Sequence, residues 1–314
     1  MTGEIDRTAS AAVETVGFTG LQQGPKLLVT GAVHGNEICG PQAIARAIED
    51  CRSGRLAIAR GHVTFVPVVN AKAWRQRTRE GDRNLNRNLR EREFPSSNED
   101  LVGNVLCGLL RAHDVLLDIH SFRSRGEPFV FVGPSNNDGP IEPFRLAEAE
   151  RDFASRLGPR LVMFGWLPTY ARAAAARHGD PTEGVGTTEF MRSCGGYGVT
   201  LECGQHRDPG AADIAYDAIV RALSHLRLTD ATPPSVTVDR AIEIVDVVLC
   251  HSAGDRLVRE WRTGDPVKAG ETIATRENGS RLTALADGFV IFPDANARPM
   301  DEMYYFGVAR SHGA

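Results

Sequence analysis

The sequence predicts an α/β protein, a mixed or largely parallel sheet flanked by helices, followed by a smaller all-β region. Three observations predict it. Apolar strand-like runs alternate with segments of helical period up to residue 228. A break rich in small, polar and proline residues, Thr229–Ser235, comes next. Beyond it lie only short β-rich runs separated by turn signals. A chain of 314 residues fits about two domains, and the boundaries expected are 1–228 and 236–314.

Each element has its own signal. Leu27–Val33 (LLVTGAV) is a short apolar, β-branched run and reads as a buried strand. Gly40-Pro41 then opens a helix whose apolar positions are Ile44, Ala47, Ile48 and Cys51, spaced i, i+3, i+4, i+7. His62–Val69 reads as a second strand. Residues 70–95 are polar and arginine-rich with no sustained apolar period, and a loop of that length is uncommon without a function. Leu101–Arg111 reads as helix, Val115–Ile119 and Phe129–Val132 as strands, and Pro143–Leu157 as helix. Gly198–Leu201 reads as a strand and Ala211–Leu226 as a helix. In the β-rich region the strand candidates lie in VTVDRAIEIVDVVL, DRLVREW, ETIATRE and GFVIF. Thr263-Gly264-Asp265 and Asp287-Gly288 mark turns. The chain has no internal repeat and no low-complexity tract.

Composition narrows the functional classes. Lys plus Arg is 36 against 40 for Asp plus Glu, so there is no electrostatic case for nucleic acid or a polybasic membrane anchor. The six cysteines form no C-x-x-C pair, which argues against a zinc knuckle, a thioredoxin-type motif and a secreted disulfide framework. The first twenty residues lack a basic stretch followed by an apolar run, and no stretch approaches 18 consecutive apolar residues. A cytoplasmic protein with no membrane partner is expected. The oligomeric state, a homo-oligomer included, is left open.

Four places carry chemistry-bearing residues. The first strand runs into His34-Gly35-Asn36-Glu37, where an imidazole and a carboxylate at the end of a strand can point at one centre. Both donor types suit Zn²⁺. Taken alone, a strand-end histidine with an unrelated surface glutamate explains this spacing as well. Val115–His120 (VLLDIH) ends another buried strand, with Asp118 and His120 on the same side. His120 completes a His₂Glu set, the ligand set of catalytic zinc with an open position. Asp118 reads either as an outer partner of that histidine or as a structural hydrogen-bonder. In the polar loop, Arg79 and Asp82-Arg83-Asn84-Leu85-Asn86-Arg87 form either a clamp for an acidic substrate or a solvated basic loop. Val199–Gly204 (VTLECG) sets Glu202 at a further strand end, where a general base could sit. Cys39 and Cys203 read as small buried apolar residues, and His62, His113, His178, His206, His225 and His251 as histidines without ligand spacing.

In that order, HGNE, RxxDxNLNR, DIH and TLECG resemble the succinylglutamate desuccinylase/aspartoacylase family, a branch of the zinc-carboxypeptidase-like hydrolases. The motifs span roughly residues 25–225. The resemblance implies a zinc-dependent catalytic domain over 1–228 and a β-rich domain over 236–314 that caps the site. It implies one Zn²⁺ per chain, held by His34, Glu37 and His120, with Glu202 as general base and then acid. Arg79 would polarise the scissile carbonyl. Asn86 and Arg87 would hold a substrate carboxylate, Arg192 would be a second substrate-binding arginine, and the C-terminal domain would lend Tyr304, or else Tyr305. The activity implied is hydrolysis of the amide of a small N-acyl amino acid or related N-acyl amine.

Two departures stand out. Asn84 occupies the place of the family's second aspartate, and Thr188 that of an aspartoacylase tyrosine. The segment after His120, SFRSRGEPFVF, looks closer to the desuccinylase side, where Arg123 or Arg125 would read an acyl carboxylate or be solvated. A carboxypeptidase-like peptidase on the same scaffold is the first alternative. A non-catalytic carrier is the second, because Gly264–Glu271 is similar to biotinyl/lipoyl-type hairpins. Lys268, however, lies in no acceptor motif and reads as a surface lysine.

Overall fold

Side-chain alternation along the central strands sorts the interior into two apolar layers. Leu27, Val29, Val115, Leu117, Ile119, Val199 and Leu201 face one way. Leu28 and Leu116 face the other. The computed structural model describes residues 13–176, 179–232 and 237–310. His178, Pro233–Ser235 of the expected linker and the first twelve residues lie outside them.

The first half runs β1 (Val16–Thr19), β2 (Gln22–Gly31), α1 (Cys39–Arg52), β3 (Arg60–Val66), α2 (Ala71–Gln76), α3 (Asn98–Arg111), β4 (Val115–Phe122) and β5 (Phe129–Phe131). Then come α4 (Ala147–Arg156), β6 (Leu161–Phe164), α5 (Trp166–Ala176), α6 (Thr187–Ser193), β7 (Tyr197–Gln205) and α7 (Ala211–His225). The C-terminal part is β8 (Arg240–Leu249), β9 (Arg256–Leu257), β10 (Asp265–Val267), β11 (Thr272–Thr275), β12 (Arg281–Thr283), β13 (Gly288–Ile291) and β14 (Glu302–Ala309). Helices α1, α4 and α7 cover the first layer, while α3 and Met191 of α6 cover the second.

The mixed α/β sheet flanked by helices is as the sequence predicts. Several elements were not signalled. Residues 70–95 contain α2, six residues long and too short to show an apolar period; Asn70 caps it by accepting the amide of Ala73 at 3.2 Å. Strand β6 and helices α5 and α6 lie in a stretch for which no element was expected. Strand β7 continues to Gln205, so Glu202 stands inside the strand rather than at its end.

The order of the main sheet is β1-β3-β2-β4-β7-β5-β6-β8-β14-β13-β10. Strands β3, β2, β4 and β7 are mutually parallel. Strand β8 pairs in parallel with β6, and β14 and β13 continue antiparallel from it. The C-terminal region therefore shares the main sheet. It has a small core of its own around Trp261, Ile273 and Val290, and a separate three-stranded sheet β12-β11-β9. A further cluster, including Phe129, Met163, Ile244, Ile291 and Tyr305, joins the two parts.

Candidate metal centre and active site

Parallel pairing brings the carboxyl ends of β2, β4 and β7 side by side, with Gly31 opposite Ile119 and His120 opposite Glu202. A crevice at the carboxyl ends of parallel strands is where open α/β sheets bind ligands. After β2, Ala32 adopts a left-handed conformation (φ 48°) and the chain turns toward His34. Gly35 then passes so close to α2 that a Cβ there would lie 2.0 Å from the carbonyl carbon of Ala73. Only glycine fits, and this contact sets HGNE against the helix that precedes Arg79.

The structure brings His34, Glu37 and His120 together, all buried, with one ligand atom from each within 4.8 Å of the others. Nδ1 of His34 lies 2.8 Å from Glu37 Oε1, and Nδ1 of His120 lies 2.9 Å from Glu37 Oε2. The far nitrogens are held from behind. His34 Nε2 donates to Asn84 Oδ1 at 3.1 Å, and that oxygen also accepts the Asn86 amide, which fixes the orientation of the Asn84 side chain. His120 Nε2 donates to Asp118 Oδ2 at 2.9 Å. Asp118 also accepts the hydroxyls of Thr30 (2.6 Å) and Thr187 (2.5 Å). Both imidazoles therefore turn Nδ1 toward the shared centre. The main-chain amide of Ser121 steadies Glu37 at 3.1 Å.

Electrostatics agree with a cation site. Burial pushes His34 down to about 4, and Arg79 adds to this. Burial also pushes His120 down, but Asp118 and Glu37 outweigh it and hold the imidazole well above its ordinary value. Glu37 is held well below the usual carboxylate range by the two histidines, against the effect of burial. The donor set of two imidazoles and one carboxylate fits Zn²⁺, and protons shared among these groups are what a divalent cation displaces. Burial lifts Glu202 to about 8, Glu37 adding to the rise while His120 and Arg79 oppose it. Its Oε2 is buried without a hydrogen-bond partner among the described residues.

These groups line a cavity of about 1180 Å³. Arg79 is partly exposed and directs Nη1 at the triad, 3.3 Å from His34 Nδ1 and 3.4 Å from Glu37 Oε1. Asn86 and Arg87 are on the wall. Asn86 Oδ1 accepts the Thr187 amide at 2.9 Å. The Arg87 guanidinium stands 4.8 Å from the ring centre of Trp166 and 4.7 Å from that of Tyr170, with Glu302 3.8 Å away.

Two expectations are corrected. Tyr304 points into the small C-terminal core, whereas Tyr305, on the opposite side of β14, faces the cavity. Arg192 reaches the wall, but its guanidinium is fully used by Glu142, Glu150, Glu189 and the carbonyl of Gly198. It has no donor left for a substrate carboxylate. Arg123 lines the cavity and pairs with Asp294, while Arg125 offers its carbonyl to the Thr263 amide at 2.7 Å. Lys268 is exposed and paired with Asp287.

Other cavity residues carried no sequence signal. His206 bonds the Ser121 hydroxyl at 2.9 Å through Nδ1, and Tyr170 donates to Glu302 at 2.5 Å. Trp166 lies in the stretch where no helix was expected. Cys39 and Cys203 are buried. No helix among the described residues is long and apolar enough to cross a membrane.

A strand-end His₂Glu set beside a buried carboxylate, on a mixed α/β sheet, is the architecture the four motifs imply. Residues 23–226 match the succinylglutamate desuccinylase/aspartoacylase catalytic domain. The chain belongs to that family. Among solved structures it is similar to a succinylglutamate desuccinylase/aspartoacylase of Rhodobacter sphaeroides, at 19% identity over 95% of this chain and 89% of that one, TM-score 0.72. The product-bound ectoine utilization protein EutE (DoeB) of Ruegeria pomeroyi matches at 19% identity over 94% and 88%, TM-score 0.71. A succinylglutamate desuccinylase of Vibrio cholerae matches at 15% identity over 92% and 84%, TM-score 0.69. At these identities the likeness concerns the fold. No curated protein matches in sequence.

Proposed function

We propose that the protein is a zinc-dependent deacylase that hydrolyses the linear amide of a small N-acyl amino acid or related N-acyl amine. The observation that carries this reading is the convergence of three buried ligand atoms within 4.8 Å, beside a Glu202 oxygen that is buried without a partner among the described residues. A zinc ion held by His34, Glu37 and His120 would supply the Lewis acidity that polarises an acyl carbonyl and acidifies a water molecule. Glu202, lifted to about 8 by burial, is the group able to take a proton from the attacking water and pass it to the departing nitrogen. Arg79 offers a positive charge beside the triad, where negative charge on the former carbonyl oxygen develops. Arg87, backed by two aromatic rings, is the candidate reader of a substrate carboxylate, with Asn86 next to it. Tyr305 takes the position expected of Tyr304. Arg192 acts as a positioning residue.

The test is Glu202→Gln. The variant is expected to retain about one zinc per chain, as the His₂Glu set requires, and to lose about 10²–10⁴-fold in kcat on an N-acyl amino acid panel. Turnover at the parent rate would overturn the role of Glu202. A purified wild-type chain that holds no zinc, and gains no activity from it, would overturn the metal assignment. Release of C-terminal residues from unacylated peptides would replace the deacylase with a peptidase.

A further inference from the structure

Strand β7 breaks step with its neighbour just beyond Glu202. His120 stands opposite Glu202, but the next partners are Phe122 and Gln205, so two steps along β4 match three along β7. Such a bulge is rare between parallel strands, and bulges beside active sites re-aim the side chain that follows. Gly204 takes up the extra residue at φ 106°, where an L side chain would be strained. The chain beyond it is then fastened. The His206 amide donates to the Phe122 carbonyl at 2.9 Å, Gln205 Nε2 donates to the Arg123 carbonyl at 3.2 Å, and Gln205 Oε1 accepts the Arg207 amide at 2.6 Å. His206 thereby joins the cavity wall that also holds His34, Glu37 and His120.

Both nitrogens of that ring are engaged. Asn36 Nδ2 lies 3.3 Å from His206 Nε2, and an amide nitrogen can only donate, so Nε2 is the accepting nitrogen. The ring proton is then on Nδ1, which donates to the Ser121 hydroxyl oxygen at 2.9 Å. Each partner adjoins a candidate metal ligand. Asn36 directly precedes Glu37, and Ser121 directly follows His120 and gives its amide to Glu37 Oε2 at 3.1 Å. The ring therefore crosses from β7 to the two segments that carry Glu37 and His120. Asn36 Oδ1 is buried with no hydrogen-bond partner among the described residues. An acceptor in that state costs about 1–3 kcal/mol. Among the described residues the Asn36 side chain bonds only to His206, which holds it in place against that cost.

We propose that His206 is a positioning residue of the metal centre, a strut that fixes the Glu37 and His120 segments relative to one another; this rests on the metal assignment made above. His206 is not a further ligand, since the converging donor atoms are those of His34, Glu37 and His120. Nor does it carry protons for the acyl substrate, because both ring nitrogens are already bonded. Metal sites depend on such outer partners to hold their ligands in orientation. The bulge at Gly204 is the backbone device that delivers this one.

The test is the series His206→Ala, His206→Asn and His206→Gln in the full chain, read with Zn²⁺ and with Co²⁺. Asparagine can place an amide N–H near the position of Nδ1 and keep the Ser121 bond. Glutamine reaches the position of Nε2 and can accept from Asn36. His206→Ala is expected to weaken zinc binding about 10–100-fold in competition with a chelating dye, the scale of losing an outer partner of a metal site. It is also expected to alter the visible absorption of bound Co²⁺, which reports ligand geometry. His206→Asn and His206→Gln are each expected to recover part of both. The metal-free chains are expected to unfold at nearly the same urea midpoints, which separates positioning from folding. At saturating zinc, kcat on the N-acyl amino acid panel is expected to fall with KM little changed, since His206 has no free nitrogen for substrate. An unchanged zinc constant and Co²⁺ spectrum in His206→Ala would overturn the proposal and leave the deacylase reading intact. Metal-free chains that lose stability in step with their loss of zinc binding would overturn it too, and make His206 a packing residue. Metal binding that follows the series, in a parent chain that hydrolyses no acyl substrate, would support the strut while overturning the deacylase reading. A parent chain that binds neither ion would overturn both.

Discussion

Asp118 shows how a residue outside the His34, Glu37 and His120 group can set the orientation of one inside it. Its carboxylate is fully buried and accepts from His120 Nε2, Thr30 and Thr187. The bond to His120 places that proton on Nε2 and leaves Nδ1 to face Glu37. Asn84 does the same for His34 without a full negative charge. Asp118→Asn keeps the size of the group but loses the anion, so zinc affinity is expected to fall about 10–100-fold. Competition with a chelating dye checks this, and an unchanged zinc constant would assign Asp118 to folding alone. At this scale the sequence was informative wherever strand alternation applied. Asp118 and His120 had to share a side, and the register of β4 with β7 sets Glu202 next to them. It was uninformative where the choice hung on register. Tyr304 and Tyr305 are adjacent, and nothing local says which of them faces inward. The saturation of Arg192 was hidden for another reason, because Glu142 and Glu150 lie 50 and 42 residues away.

The polar loop before α3 depends on that helix. Ser97 caps α3 through the Asp100 amide at 3.1 Å. Asp100 binds Arg83 at 2.8 Å, pairs with Arg92 and accepts the Ser96 amide at 2.9 Å. It thereby pins both ends of the segment that carries Asn86 and Arg87. Burial pushes the Asp100 carboxyl up, but Ser96 and Arg83 outweigh this and bring it down to about 2 from its usual 3.8. A carboxyl depressed in the folded state contributes stability that is complete above its unfolded pKa and is lost as pH falls through the folded one. Asp100→Asn is therefore expected to cost about 2 kcal/mol near pH 6, as for a hydrogen-bonded charge. The gap should close between about pH 4 and pH 2. Urea unfolding of both chains at pH 6 and pH 3 measures it, and a gap independent of pH would refute the assignment. The sequence marked this segment as functional by its length and polarity. It could not show α2 or the ties to Asp100, since a six-residue helix has no period to read and the ties depend on the folded path.

Over the whole molecule, the change of texture at residues 229–235 reads as a boundary between two domains, whereas the hydrogen bonds run across it. Strand β8 extends the main sheet through β6, register Leu161 with Arg240 to Phe164 with Glu243. Ile242, Ile244, Ile291 and Tyr305 bury Phe129, Leu161 and Met163. Fully burying each such side chain stabilises by about 1.5–3 kcal/mol, which for several together rivals the whole net stability of a domain, about 5–15 kcal/mol. Composition cannot reveal this, because a strand that joins another sheet has the same alternation as one that founds its own. A chain ending at residue 232 would expose the β6 edge as well as this apolar face. It is expected to aggregate, or to keep far-ultraviolet but lose near-ultraviolet circular dichroism. The full chain is expected to unfold in one calorimetric transition. Two separate transitions, with a truncated chain that stays soluble and melts within a few degrees of the first, would establish independent domains. Tyr305 and Glu302 leave the cavity wall in that truncation, so even a folded remnant is expected to bind zinc and yet turn over substrate poorly, because the proposed metal ligands come from β2 to β4 and part of the enclosure comes from β14.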